Sequence, residues 1–141
     1  MVELRLMVND PKTGKSYKKV LPDCNELVGR KINDVFSGDI VGLRGFELQI
    51  TGGSDSSGFP MRLDLSGTAK RRLLLTRGMG LHKVKRRGNK KGDAKRKGVK
   101  KRRSIRGNTV SLDIAQINAK IVKGEGIDKI LAIVKEEKKE E

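Results

Sequence analysis

Between Lys70 and Arg106 the chain sets eighteen basic side chains against one acid, Asp93. They are Lys70, Arg71, Arg72, Arg77, Lys83, Lys85, Arg86, Arg87, Lys90, Lys91, Lys95, Arg96, Lys97, Lys100, Lys101, Arg102, Arg103 and Arg106. This window carries +17, while the rest of the 141-residue chain carries −1 of the overall +16. Cations at such density repel one another, and the chemistry open to them is neutralisation of an extended polyanion. The guanidinium groups of Arg86, Arg87, Arg96, Arg102, Arg103 and Arg106 can each fork across two phosphate oxygens, and the lysines act as point charges. Glycines at 88, 92, 98 and 107 let the backbone bend between these groups, so the segment can follow irregular phosphate ridges. That favours structured RNA over an isolated DNA duplex. A solvated run kept for solubility is the plainer reading, but solubility is usually secured with mixed signs.

Other chemistries find little support. His82 is the only histidine, and no nucleophile or carboxylate lies near it in sequence to make a catalytic set. The lone cysteine, Cys24, excludes an intramolecular disulfide framework and a cysteine-cluster zinc site, and fits a reducing compartment. "DPKTGKS" resembles the end of a phosphate-binding P-loop, but the motif needs a glycine five positions before Gly14, where Asn9 stands. The carboxylates are scattered without metal-ligand spacing. With three phenylalanines, one tyrosine and no tryptophan, few rings are offered on which bases could stack. No zinc-finger spacing, leucine zipper or recognition helix accompanies the basic residues. The reading is therefore of a binding protein without catalytic residues, cofactor, metal or small-molecule substrate.

The elements that must hold the basic segment read mainly as β. Val2, Leu4, Leu6 and Val8 alternate with Glu3, Arg5 and Met7, the period of a half-buried strand. "NDPKTG" supplies turn residues, and "KSYKKVL" reads as the return strand of a hairpin. "DCNELVGRKINDVF" suggests a short helical turn, capped by Asp23 or Asn25 and ended by Gly29. Phe46, Leu48 and Ile50, then Met61, Leu63 and Leu65, repeat the two-residue period, and Leu73, Leu74 and Leu75 form an apolar run. Val110, Leu112 and Ile114 alternate, as do Ile117, Ala119 and Ile121 in shifted phase, so a bulge or turn between two strands is expected near Ala115 and Gln116. Ile127, Ile130, Leu131 and Val134 fall at helical spacing. The expectation is one domain over residues 1–126, a small β-barrel with an internal basic arm at about 83–106. A short amphipathic C-terminal helix and a charged tail follow over 127–141. The arm has almost nothing apolar to offset its ordering cost, and alone it should be disordered. No run approaches a membrane span or a signal peptide, so a soluble intracellular protein is expected.

The stretch "TGGSDSSGFPMRLDLSG", Thr51 to Gly67, is the most distinctive. Gly52 and Gly53 should end a strand, Asp55 and the serines can bond turn amides, Gly58 permits an unusual dihedral, and Pro60 fixes entry into the next strand. A rigid inter-strand loop is the favoured reading over a phosphate cradle, since neither a helix nor a lysine follows.

"GGSDSSGFPM", then "RRLLLTRG", a basic run closing in "KRRSIRGNTV", and "NAKIVKGEG" together resemble the eukaryote-type small-subunit ribosomal protein six family in its short archaeal form, from Met1 to about Gly126. The resemblance implies a small N-terminal β-barrel with basic extensions embedded in small-subunit ribosomal RNA, neighbouring ribosomal proteins as partners, a cytoplasmic location on the ribosome, and no catalysis. By position, Gly52, Gly53, Asp55, Gly58, Phe59, Pro60 and Met61 match the family's signature loop. Arg71, Arg72 and the basic run through Arg106 match its RNA-facing region. Eukaryotic members continue into a long basic helix with a phosphorylated serine cluster. Here no serine follows Ser111, and that regulation is not carried over. The alternative function is a free nucleic-acid binder, such as a DNA-compacting protein.

Overall fold

A computed structural model describes residues 3–22, 25–76, 78–82 and 98–124. The alternating N-terminus forms β1 (Leu4–Asn9), with Leu4, Leu6 and Val8 fully buried. Asp10 then organises the turn: its Oδ1 accepts from the Lys12 amide at 2.8 Å and its Oδ2 from the Thr13 hydroxyl at 2.9 Å. The chain returns antiparallel as β2 (Ser16–Leu21), in a register running from Leu4 opposite Leu21 to Asn9 opposite Ser16. A 3-10 helical turn, Asn25–Leu27, brings Leu27 into the core, and Gly29 follows at φ 86°. Asp23 and Cys24 lie outside the described residues.

The remaining strands are β3 (Val35–Ser37), β4 (Glu47–Asp55), β5 (Arg71–Leu75), β6 (Lys101–Ile105) and β7 (Ile114–Lys123). Five of them make a mixed sheet in the order β2-β1-β7-β4-β3, in which β1 and β7 run parallel and the other neighbours antiparallel. One face of this sheet carries Leu4, Leu6, Val8, Leu48, Ile50, Ile117 and Ala119, and connecting segments cover it with Leu27, Ile32, Leu43, Phe46, Met61 and Val110. Each such leucine or isoleucine contributes about 1.5 to 3 kcal/mol by leaving water.

Three expectations change. The sheet is open: among the described residues pairing stops at β2 and β3, and no closed barrel forms. Lys18 and Lys19 sit on the β2 edge, where charge discourages further pairing. Met61, Leu63 and Leu65 do not form a strand. Met61 is buried, Leu63 is 48% exposed, and the carbonyls of Leu63 and Leu65 accept from the side chain and backbone of Asn108. Gly52 and Gly53 do not end β4, which continues to Asp55 through register shifts after Ile50 and Ser54. The slip near Ala115 does not divide two strands: it is a bulge within the single strand β7, where Ser54 pairs with Gln116 but Asp55 with Ile114, and Leu112, exposed, lies before that strand begins. The C-terminal helix expected at 127–141 lies outside the described residues.

Because Asp55 and Ile114 are paired neighbours, everything from Ser56 to Asp113 is an excursion that leaves and re-enters the sheet at one place. That excursion contains the basic window.

Candidate nucleic-acid interface

Part of the basic window is a strand rather than an unstructured arm. Lys101–Ile105 pairs antiparallel with Arg71–Leu75, forming a two-stranded ribbon. Its register explains why so charged a sequence can pair. Arg71 and Arg72 face Ile105 and Ser104, while Leu73, Leu74 and Leu75 face Arg103, Arg102 and Lys101, so no two cations stand directly opposite. The aliphatic stems of the basic residues can lie along the leucines while their charged ends stay in water. Ile105 and Leu75 pack with Leu81 in a small second core, flanked by Leu65 and Leu73. Arg71, Arg72, Lys100, Lys101, Arg102 and Arg103 are exposed and form no ion pair with another described residue.

Arg106 is used differently. Its guanidinium side chain is only 15% exposed: Nε lies 3.1 Å from Asp55 Oδ2, Nη2 lies 3.1 Å from Asp113 Oδ2, and Nη1 donates to the Thr68 carbonyl at 3.3 Å. Its backbone amide donates to the Pro60 carbonyl at 2.9 Å, and its carbonyl accepts from the Arg62 amide at 3.1 Å. Asp55, 4% exposed, turns its other oxygen to the Phe59 amide at 2.8 Å. Burial alone would raise the Asp55 pKa, but the Phe59 amide, the Arg106 guanidinium and the Ser57 amide together hold it below the usual carboxylate value. Asp113 had no role in the sequence reading; only the fold brings it to Arg106.

The glycine-rich loop is the other half of this clamp. The Asp55 amide donates to the Phe59 carbonyl, the Gly58 amide to the Asp55 carbonyl, and the Met61 amide to the Gly53 carbonyl. A side chain at Gly53 would meet the Gln116 carbonyl oxygen at 2.5 Å and Met61 Sδ at 3.0 Å, so β4, β7 and the loop close only around glycine. Phe59 is half-buried, and Lys70 Nζ stands 3.9 Å from its ring centroid, a cation–π contact leading into β5. Gly52, Gly53 and Asp55 thus complete β4, and Gly58, Phe59, Pro60 and Met61 form the inter-strand loop that follows, bonded back to Asp55, Gly53 and Arg106.

Of the basic residues singled out from the sequence, Arg77, Lys83, Lys85, Arg86, Arg87, Lys90, Lys91, Lys95, Arg96 and Lys97 lie outside the described residues. Along the chain they belong to the connection between β5 and β6. Among the described residues, no three His, Cys, Asp or Glu side chains gather as a metal site requires, and no helix is long and apolar enough to cross a membrane.

Asp55, Phe59, Pro60 and Arg106 of this clamp fall within the stretches by which the sequence resembles a known family, and the likeness extends over the chain. Residues 4–134 match the family profile of ribosomal protein S6e. The chain belongs to that family. Among its relatives, the small ribosomal subunit protein eS6 of Archaeoglobus fulgidus is 48% identical over 125 residues, covering 86% of this chain and 88% of the relative. The protein of the same name from Methanocaldococcus jannaschii is 47% identical over 122 residues, covering 86% and 84%. That from Halorubrum lacusprofundi is 38% identical over 129 residues, covering 90% and 87%. Membership gives the clamp a context: it holds a polycationic ribbon at a fixed place on a small sheet, in a family named for the ribosome.

Proposed function

We propose that this protein is a structural, non-catalytic constituent of the small ribosomal subunit, acting on the cytoplasmic ribosome by binding ribosomal RNA. The observation that carries the reading is the ribbon: exposed cations on β5 and β6 that form no ion pair with a described residue, rooted through Arg106 in the main sheet. Arg71, Arg72 and Lys100 to Arg103, together with the basic connection at 83–97, neutralise phosphates that would otherwise repel as RNA helices pack. Neighbouring ribosomal proteins are the expected protein partners. Family membership and the named relatives support this role over that of a free DNA-compacting protein.

The test is a titration of the intact chain with small-subunit ribosomal RNA across a salt series. If about eight phosphates are contacted, log K should fall against log salt with a slope near −7. An affinity that hardly changes with salt contradicts the proposal.

A further inference from the structure

The main sheet has a second face, opposite the core, whose chemistry the ribbon does not explain. By register its strands present rows across the sheet: Val20, Arg5, Gln116 and Ser54 in one, and Lys18, Met7, Asn118 and Gly52 in the next. In the third, Asn9 stands between Ser16 and Lys120, and Gln49 beyond Lys120. All of these are exposed or half-buried.

Two features set the face apart. First, it is rich in neutral hydrogen-bonding groups held in place. Gln116 Nε2 donates to Asn118 Oδ1 at 2.9 Å, Thr51 Oγ1 to the Asn118 carbonyl at 3.0 Å, Asn9 Nδ2 to the Ala119 carbonyl at 3.2 Å, and Gln49 Nε2 to the Asn33 carbonyl at 2.9 Å. Each of these amides still has hydrogen-bonding capacity that these contacts leave unused. Second, the unpaired charge on the described strand residues of this face is of one sign. Arg5, Lys18 and Lys120 form no ion pair with a described residue, whereas Glu47, the acid of this face among the described strand residues, is paired with Lys123 at 3.2 Å. Arg5 and Lys120 lie one strand apart and four residues along, about 14 Å by ideal strand spacing, with the Asn118 row between them.

Cations bracketing a flat strip of amides and hydroxyls complement a shallow groove edged by phosphates. We infer that this face binds duplex RNA across its wide, shallow minor groove, the cations meeting the two phosphate ridges and the amides reading 2′-hydroxyls and base edges. The narrow minor groove of B-form DNA does not admit a sheet face of this width. A protein partner is less well matched, because the exposed valines Val20, Val35 and Val122 occupy different rows and three different strands, leaving no contiguous apolar centre. The inference depends on the RNA-binding function proposed above and adds to it a second surface with a different ligand geometry.

The test uses the intact chain, an RNA hairpin with a stem longer than one helical turn, and a 2′-deoxy hairpin of the same sequence. The ribbon is intact in every variant, so a preference for RNA that the face variants lose and the control variant keeps isolates the face. The variant Arg5→Gln/Lys18→Gln/Lys120→Gln is compared with Lys12→Gln/Lys31→Gln/Arg44→Gln, which removes the same charge from exposed positions elsewhere. A further variant, Gln116→Ala, leaves the charge untouched. The inference expects the face variant to lower the salt slope by about 3 and both face substitutions to remove the preference for RNA, while the control keeps it. Preference and slope unchanged in the face variants, with the intact chain still binding RNA, overturn the face and leave the function standing. Failure of the intact chain to bind any RNA overturns the function itself. A face variant that binds the hairpin normally but fails to enter small subunits shows a protein-binding face, and also overturns the inference.

Discussion

Arg106 and Asp55 tie together the two ends of the excursion that carries the basic ribbon. Their 3.1 Å contact joins the last residue of β4 to the residue following β6, and the same guanidinium reaches Asp113, one residue before β7 begins. A ribbon of two strands is marginal on its own. Anchored at its root, it presents its charges from a defined position on the sheet.

The pair should be visible in the pH dependence of stability. Asp55 has a folded-state pKa below its ordinary value, so its contribution is fully present above the unfolded value of about 3.9 and is lost as pH falls through the folded value. Thermal denaturation across a pH series should therefore show little contribution from Asp55 to the slope near neutrality and a decline below about pH 4. Asp55→Asn should cost about 1.5 to 3 kcal/mol at neutral pH and flatten the acid decline. An unaltered acid limb would show that Asp55 is not the group responsible.

Gly107 is a backbone requirement next to the clamp. An added methyl would run into the Gly67 carbonyl oxygen, which is main chain and cannot swing aside. Gly107→Ala should lower stability by more than about 2 kcal/mol, whereas Gly52→Ala, with no atom within 4 Å of the new methyl, should stay within about 0.5 kcal/mol. Urea denaturation of the two variants makes the comparison.

Deleting residues 85–97 removes eight basic side chains and one acid while keeping every residue of β5 and β6. The shortened chain should retain the cooperative unfolding of the intact one and bind small-subunit ribosomal RNA with a much shallower salt slope. Extending the deletion to Arg103 takes away the partners of Leu73, Leu74 and Leu75. It should expose the small core around Ile105, detectable as increased proteolysis between Arg62 and Arg106. Equal protease resistance in the two deletions would contradict the pairing of β5 with β6.

Phe59→Leu tests the contact with Lys70. Loss of a ring beneath an exposed ammonium should cost about 0.5 to 1 kcal/mol beyond any packing change. Repeating the substitution in a Lys70→Ala background separates the two contributions, and an unchanged penalty there would show that the ring acts through packing alone.

The sequence was most legible where burial alternates. Leu4, Leu6 and Val8 announced β1, Asn9 to Gly14 its turn, and the phase slip at Ala115 the bulge in β7. Legibility failed where tertiary pairing overrode local pattern. "KRRSI" reads as part of a disordered basic arm because its strand character depends on the leucines opposite it. Met61, Leu63 and Leu65 keep a strand's period, yet Met61 bonds to Gly53 while the Leu63 and Leu65 carbonyls accept from Asn108, and no strand forms. Gly52 and Gly53 suggest a strand end, yet Gly53 is needed within β4 for the close approach of Gln116 and Met61. The charge of the basic window is plain from composition alone. The use of Arg106 is not: it depends on Asp55, 51 positions earlier, and on Asp113 being brought beside it.

Sedimentation of a native lysate through a gradient in moderately high salt, with this protein quantified by mass spectrometry in every fraction, tests the central claim most directly. The account predicts co-migration with the small ribosomal subunit at one copy per particle. Recovery at the top of the gradient, or with DNA, would contradict it.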